Sequence, residues 1–303
     1  MTGFNIVGVP YDIFEKPGEE FQSESRAAVE WLRSLGVSTS ADRYHKYISQ
    51  LDYKGSSRKQ DENSAFRDYL NAHGELHDLV RVWKSLLSLD SVQYVDTLKK
   101  VTSGQAYRNV AAQDPARDFL FELSVASRLI AAGYEVSLNQ IADIVAHVDG
   151  RKLYVEAKRV RSLDKLPKRV ADANKQIKLR LAQDKSSRSR GMVAVNLTDI
   201  INAGSKIGVA PDASVLQREH SQQLNDFLVR NVASIEKGMA NNCLGVLAEY
   251  TLHGVIHSDF EVDPRAVIFN CRGATFRPYE KILASSDRTF ISDVLPKLAN
   301  QRL

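Results

Sequence analysis

Ile141-Ala142-Asp143-Ile144-Val145-Ala146-His147-Val148-Asp149-Gly150-Arg151-Lys152-Leu153-Tyr154-Val155-Glu156-Ala157-Lys158 is the stretch on which the fold turns. Asp149-Gly150 between two apolar, β-branched runs is the strongest short-range signal for a two-residue hairpin turn. With those two residues as the loop, Val148 pairs with Arg151, and counting outward pairs Ile144 with Val155 and Asp143 with Glu156. Alternation then predicts one face of Ala142, Ile144, Ala146, Val148, Leu153, Val155 and Ala157, which is the core face. The other face carries Asp143, Val145, His147, Lys152, Tyr154, Glu156 and Lys158. Opposed residues in a sheet stand about 4.5 to 5.5 Å apart at Cβ, and like charges at that distance destabilise it. A divalent cation would compensate: Mg²⁺ and Mn²⁺ take hard oxygen ligands, commonly one or two carboxylates with waters. Lys158, on the same face as Glu156, would then lie near whatever such an ion binds.

Upstream, Asp114-Pro115 supplies an expected N-cap with proline at the first helical position, and Gly133 stands where a C-terminal cap belongs. The helix between them has an apolar stripe of Phe119, Leu123, Ala126, Leu129 and Ile130, and Glu122 falls inside it. An acid in such a stripe is costly unless it is paired or bound to metal. The ordinary alternative is a Glu held by the helix dipole or by an Arg such as Arg128; the neighbouring Asp143 and Glu156 favour the convergent one.

Strands are expected at Tyr134 to Leu138, Ile141 to Val148, Lys152 to Ala157 and Met192 to Leu197. A helix from Lys168 to Gln183, with Val170, Ala173, Ile177 and Leu181 as its buried stripe, precedes the last of these. Beyond them a helix is expected over Ser214 to Lys237, strands near Leu244 to Thr251 and Ala266 to Asn270, and a closing helix around Arg288 to Leu298. From Glu24 to about Gly104 the periodicity is helical, with strand signals confined to the first dozen residues and an exposed loop at Lys54 to Asn63. The fold class is mixed α/β. Two units are expected: residues 1–110, mostly helical and suited to recognising a partner or target, and residues 111–303, carrying the hairpin and a C-terminal α/β extension.

The 303 residues, with 43% hydrophobic and 26% charged content, are those of an ordinary globular chain. No run approaches the ~18 apolar residues of a membrane helix, and the first residues lack the order of a secretory signal, so a cytoplasmic protein without membrane association is expected. Cys243 and Cys271 lie beside or within apolar, β-like runs and read as buried free thiols. Between Glu156 and Arg190 fall twelve of the 41 bases and four of the 37 acids, so this segment carries +8 and the remainder −4. Concentrated positive charge draws a polyanion by releasing counterions, although many charge runs are only solvated faces.

A helix bearing Phe121-Glu122-Leu123, a strand bearing Ala142-Asp143-Ile144 and, twelve residues further, Glu156-Ala157-Lys158 together resemble the PD-(D/E)XK nuclease superfamily of restriction endonucleases and junction resolvases. The resemblance runs from Asp114 to Asn196; Ala142 replaces the proline of the eponymous dipeptide. It implies a restriction-endonuclease-like core, a central mixed sheet flanked by helices. It implies Mg²⁺ (or Mn²⁺) held by Asp143, Glu156 and the Ala157 carbonyl, with Glu122 assisting and Lys158 orienting the attacking water. Gln176 is the candidate for the family's additional Gln, with Arg180 on the same face; Arg159, Arg161 and Lys175 are the further residues expected to contact nucleic acid. The activity implied is hydrolysis of phosphodiester bonds, in DNA before RNA and by internal cuts, in restriction, repair or anti-phage defence. Pairing as a homodimer or with a partner subunit through the helical region fits such enzymes. A catalytically silent nuclease fold that binds nucleic acid or assembles a complex is the alternative. In a third reading the helical region is the functional part and the basic segment only aids solubility.

Other constellations carry less. Asp52-Tyr53-Lys54 copies the acid-x-Lys form but has no hairpin upstream and no facing acid. His73 and His77 are one helical turn apart, a spacing zinc can use, yet no third ligand is evident and a surface helix is expected. His253 and His257 read as ordinary sheet residues and His147 as solvent-exposed. Trp31, Tyr44, Tyr47, Phe66, Tyr69 and Trp83 follow helical spacing and read as core, not as a base-stacking platform.

Overall fold

In the computed structural model, which describes residues 13–38, 42–52, 62–106, 114–138, 142–203, 206–257, 268–299 and 301, Asp149 and Gly150 both adopt left-handed backbone, with φ of 46° and 74°. Two consecutive positive φ angles define the tight turn whose twist matches paired strands. Strand β2 (Ile144–Val148) therefore pairs antiparallel with β3 (Arg151–Arg159) in the expected register, from Val148 opposite Arg151 to Ile144 opposite Val155. The regular ladder stops there, one pair short of Asp143 and Glu156.

Helix α5 (Pro115–Ala131) leads into this hairpin through β1 (Glu135–Ser137), which pairs antiparallel with β2. Its C-terminus closes as a Schellman motif: the Tyr134 N–H donates to the Leu129 carbonyl and the Gly133 N–H to that of Ile130, with Gly133 at φ 85°. Its N-terminus differs from expectation. Asp114 caps no backbone N–H; its carboxylate is buried and pairs with Arg117 instead. After β3 come α6 (Leu166–Gln183) and β4 (Arg190–Asn196), parallel to β3. α6 starts two residues before the expected Lys168, with Pro167 in its first turn, where a missing N–H costs nothing.

The sheet extends through β6 (Cys243–Ile256), with β4 parallel to its first half and the short β5 (Ile207–Ala210) parallel to its second. β7 (Ile268–Pro278) pairs antiparallel along nearly all of β6, so β4 and β5 must share β6's opposite edge. The result is a mixed α/β architecture with a seven-stranded mixed sheet among the described residues. α8 (Ala213–Arg230), following the one-turn α7 (Thr198–Ile201), packs on β6 and β7. The one-turn α9 (Val232–Ile235) follows, and α10 (Ser285–Ala299) closes the chain against α5 and β7.

The N-terminal residues form α1 (Gly18–Ser34), α2 (Arg43–Leu51), α3 (Glu62–Leu86) and α4 (Val95–Thr102). Tyr44, Tyr47 and Tyr69 are buried in their core, with Trp31 and Trp83 partly buried beside it. Asn63, expected in a loop, lies within α3; residues 54–61 and the strand signals of residues 1–12 fall outside the described residues. α5 lies between two cores. Leu120 and Leu123 pack with the N-terminal helices, whereas Phe121, Val125, Ala126 and Leu129 pack on Ile144, Ala146, Val148, Leu153, Val155 and Ala157. Ala142 departs from that face and packs with Val145 and Tyr154, because the chain bends before β2 begins. Cys243 and Cys271 are buried free thiols, and no helix of the described residues is long and apolar enough to cross a membrane.

Gly150→Ala should cost about 1 to 2 kcal/mol, the penalty of a Cβ in left-handed backbone, and urea denaturation followed by circular dichroism measures it. An unchanged midpoint would mean that the turn does not hold the register.

Candidate active site

Where the ladder of β2 and β3 stops, side chains take over. By the alternation of an antiparallel pair, Ala157 directs its N–H and C=O toward β2, and Ala142 would supply the next rung. The Asp143 carboxylate fills that place: its Oδ2 accepts from the Ala157 N–H at 2.9 Å and from Lys158 Nζ at 3.1 Å. Lys158 Nζ also donates to Glu156 Oε2 at 3.2 Å. Asp143 and Glu156 are thus brought together through side chains that share the Lys158 ammonium, beyond the end of the regular ladder.

Glu156 is buried, with 1% exposure, and its Oε1 has no hydrogen-bond partner. Burial, and then the charge of Asp143, push its pKa upward. Glu122 approaches from α5, half-buried; burial and the Asp143 charge push it up to about 8, against the pull of Lys158. For Lys158 burial disfavours the charge, but Asp143 and Glu156 outweigh it and raise the pKa. The alternative in which Arg128 holds Glu122 does not occur. Arg128 reaches across to β6 and donates through Nε and Nη2 to Glu249 Oε2 at 2.9 and 2.8 Å.

Among the described residues no three His, Cys, Asp or Glu side chains are grouped closely enough to hold a metal ion as they stand. The Lys158 ammonium lies between Asp143 and Glu156. The donor set nevertheless suits a hard cation: carboxylate oxygens, one buried without a partner, and a strand edge carrying the Ala157 carbonyl beyond the end of β2.

The remaining residues singled out from the sequence divide by face. Gln176 and Arg180 lie on the side of α6 that packs toward the sheet, where Gln176 Oε1 and Arg180 Nε are buried without hydrogen-bond partners. Lys175 is exposed, as are Lys165, Lys168, Arg169, Lys178, Lys185 and Arg188, which extend the basic surface along α6 and the loop after it. Arg159 points to the opposite, α5-facing side of β3, buried and paired with Asp199 at 2.6 Å. Arg161 is half-buried and donates through Nη2 to both oxygens of Asp118, at 3.1 and 3.2 Å. Asp118 is a residue that sequence reasoning missed. It precedes Glu122 by one helical turn and adds to the negative field on it, a relation visible in the i, i+4 spacing.

His73 and His77 are half-buried rather than exposed: both pack against Phe21, and Asn270 Nδ2 lies 2.7 Å from His73 Nδ1. Burial holds His73 far down, at about 3, so it is a neutral packing residue. His253, on β6, contacts the same Asn270, and His147 is exposed. Compared with known proteins, the chain matches no family model, no curated protein and no solved structure.

Two acids whose pKa is raised on folding bind more protons in the native state than in the unfolded one between the ordinary carboxylate range and about pH 8. Stability must then fall as pH rises through that window. In EDTA, melting temperature should decline from pH 5 to pH 8, and Glu122→Gln should flatten the decline. Mg²⁺ or Mn²⁺ should offset it by favouring the ionised acids. A profile that is flat with and without divalent cation would refute the acid cluster.

Proposed function

We propose that this chain is a metal-dependent phosphodiesterase acting on nucleic acid, DNA before RNA, built on a restriction-endonuclease-like core of α5, β1 to β3, α6 and β4. The observation that carries the proposal is the convergence of Asp143, Glu156 and Lys158 at the point where β2 and β3 part, with Glu122 facing them from α5. Four acidic and basic groups brought together in a half-buried place serve no evident packing purpose, and such perturbed clusters concentrate at functional sites.

Asp143, Glu156 and the Ala157 carbonyl are the groups that would hold Mg²⁺ or Mn²⁺, with Glu122 assisting. Such an ion, when bound, supplies polarisation of a phosphoryl oxygen and a nucleophilic water near neutral pH. The chain's own residues do the rest. Lys158, once a cation takes over the two carboxylates, can turn its ammonium to a phosphate oxygen or to the attacking water. Glu122, with a pKa near neutrality, can accept a proton at its carboxylate and release it. Gln176 and Arg180 offer polar groups from α6 on the same side of the sheet, and the exposed cations beyond them provide a surface for the phosphate backbone. Arg161 can reach that surface only by loosening Asp118, and Arg159 is committed to the interior.

A second reading, a nuclease fold that binds nucleic acid without cutting it, draws on the same Lys158, whose ammonium occupies both carboxylates. Cleavage separates the two. The protein should cut plasmid or oligonucleotide DNA with Mg²⁺ or Mn²⁺ and stop in EDTA. Lys158→Ala and Glu156→Gln should each lower the rate at least a hundredfold while leaving salt-dependent DNA binding within a few-fold of the original, as loss of groups acting mainly in the transition state predicts. Binding without cleavage on single-stranded, double-stranded, branched and RNA substrates would favour the silent fold; absence of binding would remove both.

A further inference from the structure

The exposed cations of α6 and its flanking turns, from Lys165 to Arg188, form no ion pair with any described residue. On other surfaces exposed cations meet acids: Arg26 pairs with Asp52, Lys84 with Glu24, Lys99 with Asp96 and Lys281 with Glu236. Few acids could do the same along α6. Asp172 is exposed there, while Asp184 is occupied in accepting from the Tyr154 hydroxyl at 2.8 Å and the Ser189 hydroxyl at 2.7 Å. Lys168 and Lys175, two turns apart, fall on one line of the helix, with the other exposed cations of α6 to either side.

This row lies alongside the acid cluster. Tyr154, which holds Asp184 just past the C-terminus of α6, is two residues before Glu156 on the same face of β3. Before the N-terminus of α6, Arg161 donates to both oxygens of Asp118 on α5. Val170, Ala173 and Ile177 are buried in the core beneath, so the charges outside are carried on a fixed rod. Its 18 residues make that rod about 27 Å long, the length of about eight base pairs of duplex.

Composition decides which nucleic acid suits the rod. Residues 160–190 contain no Phe, Tyr or Trp, the side chains on which the bases of a single strand stack when a protein holds it. Lysine outnumbers arginine among the exposed cations, five to two. An ammonium is a point charge suited to a phosphate, whereas reading a guanine edge favours the planar fork of arginine. A stiff row of such charges without stacking platforms matches the stiff, evenly charged backbone of a duplex.

Resting on the nucleic-acid reading above, which leaves the strandedness of the substrate open, we propose that the exposed face of α6 lies along the phosphate backbone of double-stranded DNA and holds it without regard to sequence. Fluorescence anisotropy of the full chain in EDTA, where no cut intervenes, tests this with two duplexes of unrelated sequence and one of their single strands, over roughly 50 to 200 mM salt. The duplexes should bind within about twofold of each other and about tenfold more tightly than the single strand. Lys168→Gln with Lys175→Gln should weaken both duplexes alike, about tenfold, and lower the slope of log affinity against log salt by about 2, one phosphate per lysine. The same loss of charge elsewhere, Lys99→Gln with Lys281→Gln, should leave the slope unaltered. Equal or tighter binding of the single strand, a slope unmoved by the α6 variant, or a slope that falls as much with the Lys99 and Lys281 pair would each overturn the inference. Those results leave the nuclease reading standing wherever Mg²⁺-dependent cutting persists, and loss of cutting with duplex binding intact removes that reading alone.

Discussion

The register of one hairpin governs what β3 presents to each side of the sheet. Because side chains alternate, a slip of one residue at Asp149-Gly150 would turn Glu156 and Lys158 into the apolar layer under α5 and bring Val155 and Ala157 out of it. The register is held twice over. The turn requires positive φ at both central residues, which Asp tolerates and Gly accepts freely. The apolar set from Ile144 to Ala157 then packs on Phe121, Val125 and Leu129 of α5, so any slip would also expose core. Local geometry and burial agree on one pairing, and two acids and a lysine are left together as the residue of that agreement.

The point where the ladder ends matters as much as its register. Had Ala142 continued β2, Ala157 would have spent its N–H and C=O on backbone pairing. The bend before Ile144 frees that strand edge, and the Asp143 carboxylate takes the N–H in place of a backbone carbonyl. An acidic side chain therefore sits at backbone distance from the strand that carries Glu156, closer than ordinary cross-strand facing would bring it. Lys158 offsets two negative charges with one; burial first, and then the charge of Asp143, raises the pKa of both Glu122 and Glu156.

Features encoded by neighbours in sequence were legible: the hairpin, proline at the start of α5, Gly133 at its end, the stripe of α6 and the approach of Asp143 to Glu156. What escaped depends on groups distant in the chain. Asp114 reads as a cap until Arg117 and Glu75 draw it into a buried network, and Arg128 reads as a partner for Glu122 until Glu249, 121 residues away, proves the nearer acid. β5 was missed because four residues containing a glycine carry too little pattern, and their pairing with β6 is wholly tertiary. His73 and His77 looked exposed because nothing local announces that Phe21 and Asn270 cover them. Glu249 itself lies in an apolar strand, where its charge makes sense only once two arginines are placed beside it.

The acid cluster and the buried Arg128–Glu249 pair share α5. Glu122 lies near the middle of this helix, and Arg128 in its last turn, the end where the helix dipole favours a positive charge. The same helix faces two apolar layers, so neither charged group can be moved without disturbing a core. Packing thus fixes the position of α5 to within a side chain, and that rigidity is what an acid poised near neutral pH requires. A Glu on a loop could withdraw into solvent and recover its ordinary pKa, whereas Glu122 on a doubly packed helix must keep company with Asp143 and Glu156. The strain of like charges is therefore stored by hydrophobic contacts elsewhere in the helix, and it is available to whatever cation or proton relieves it.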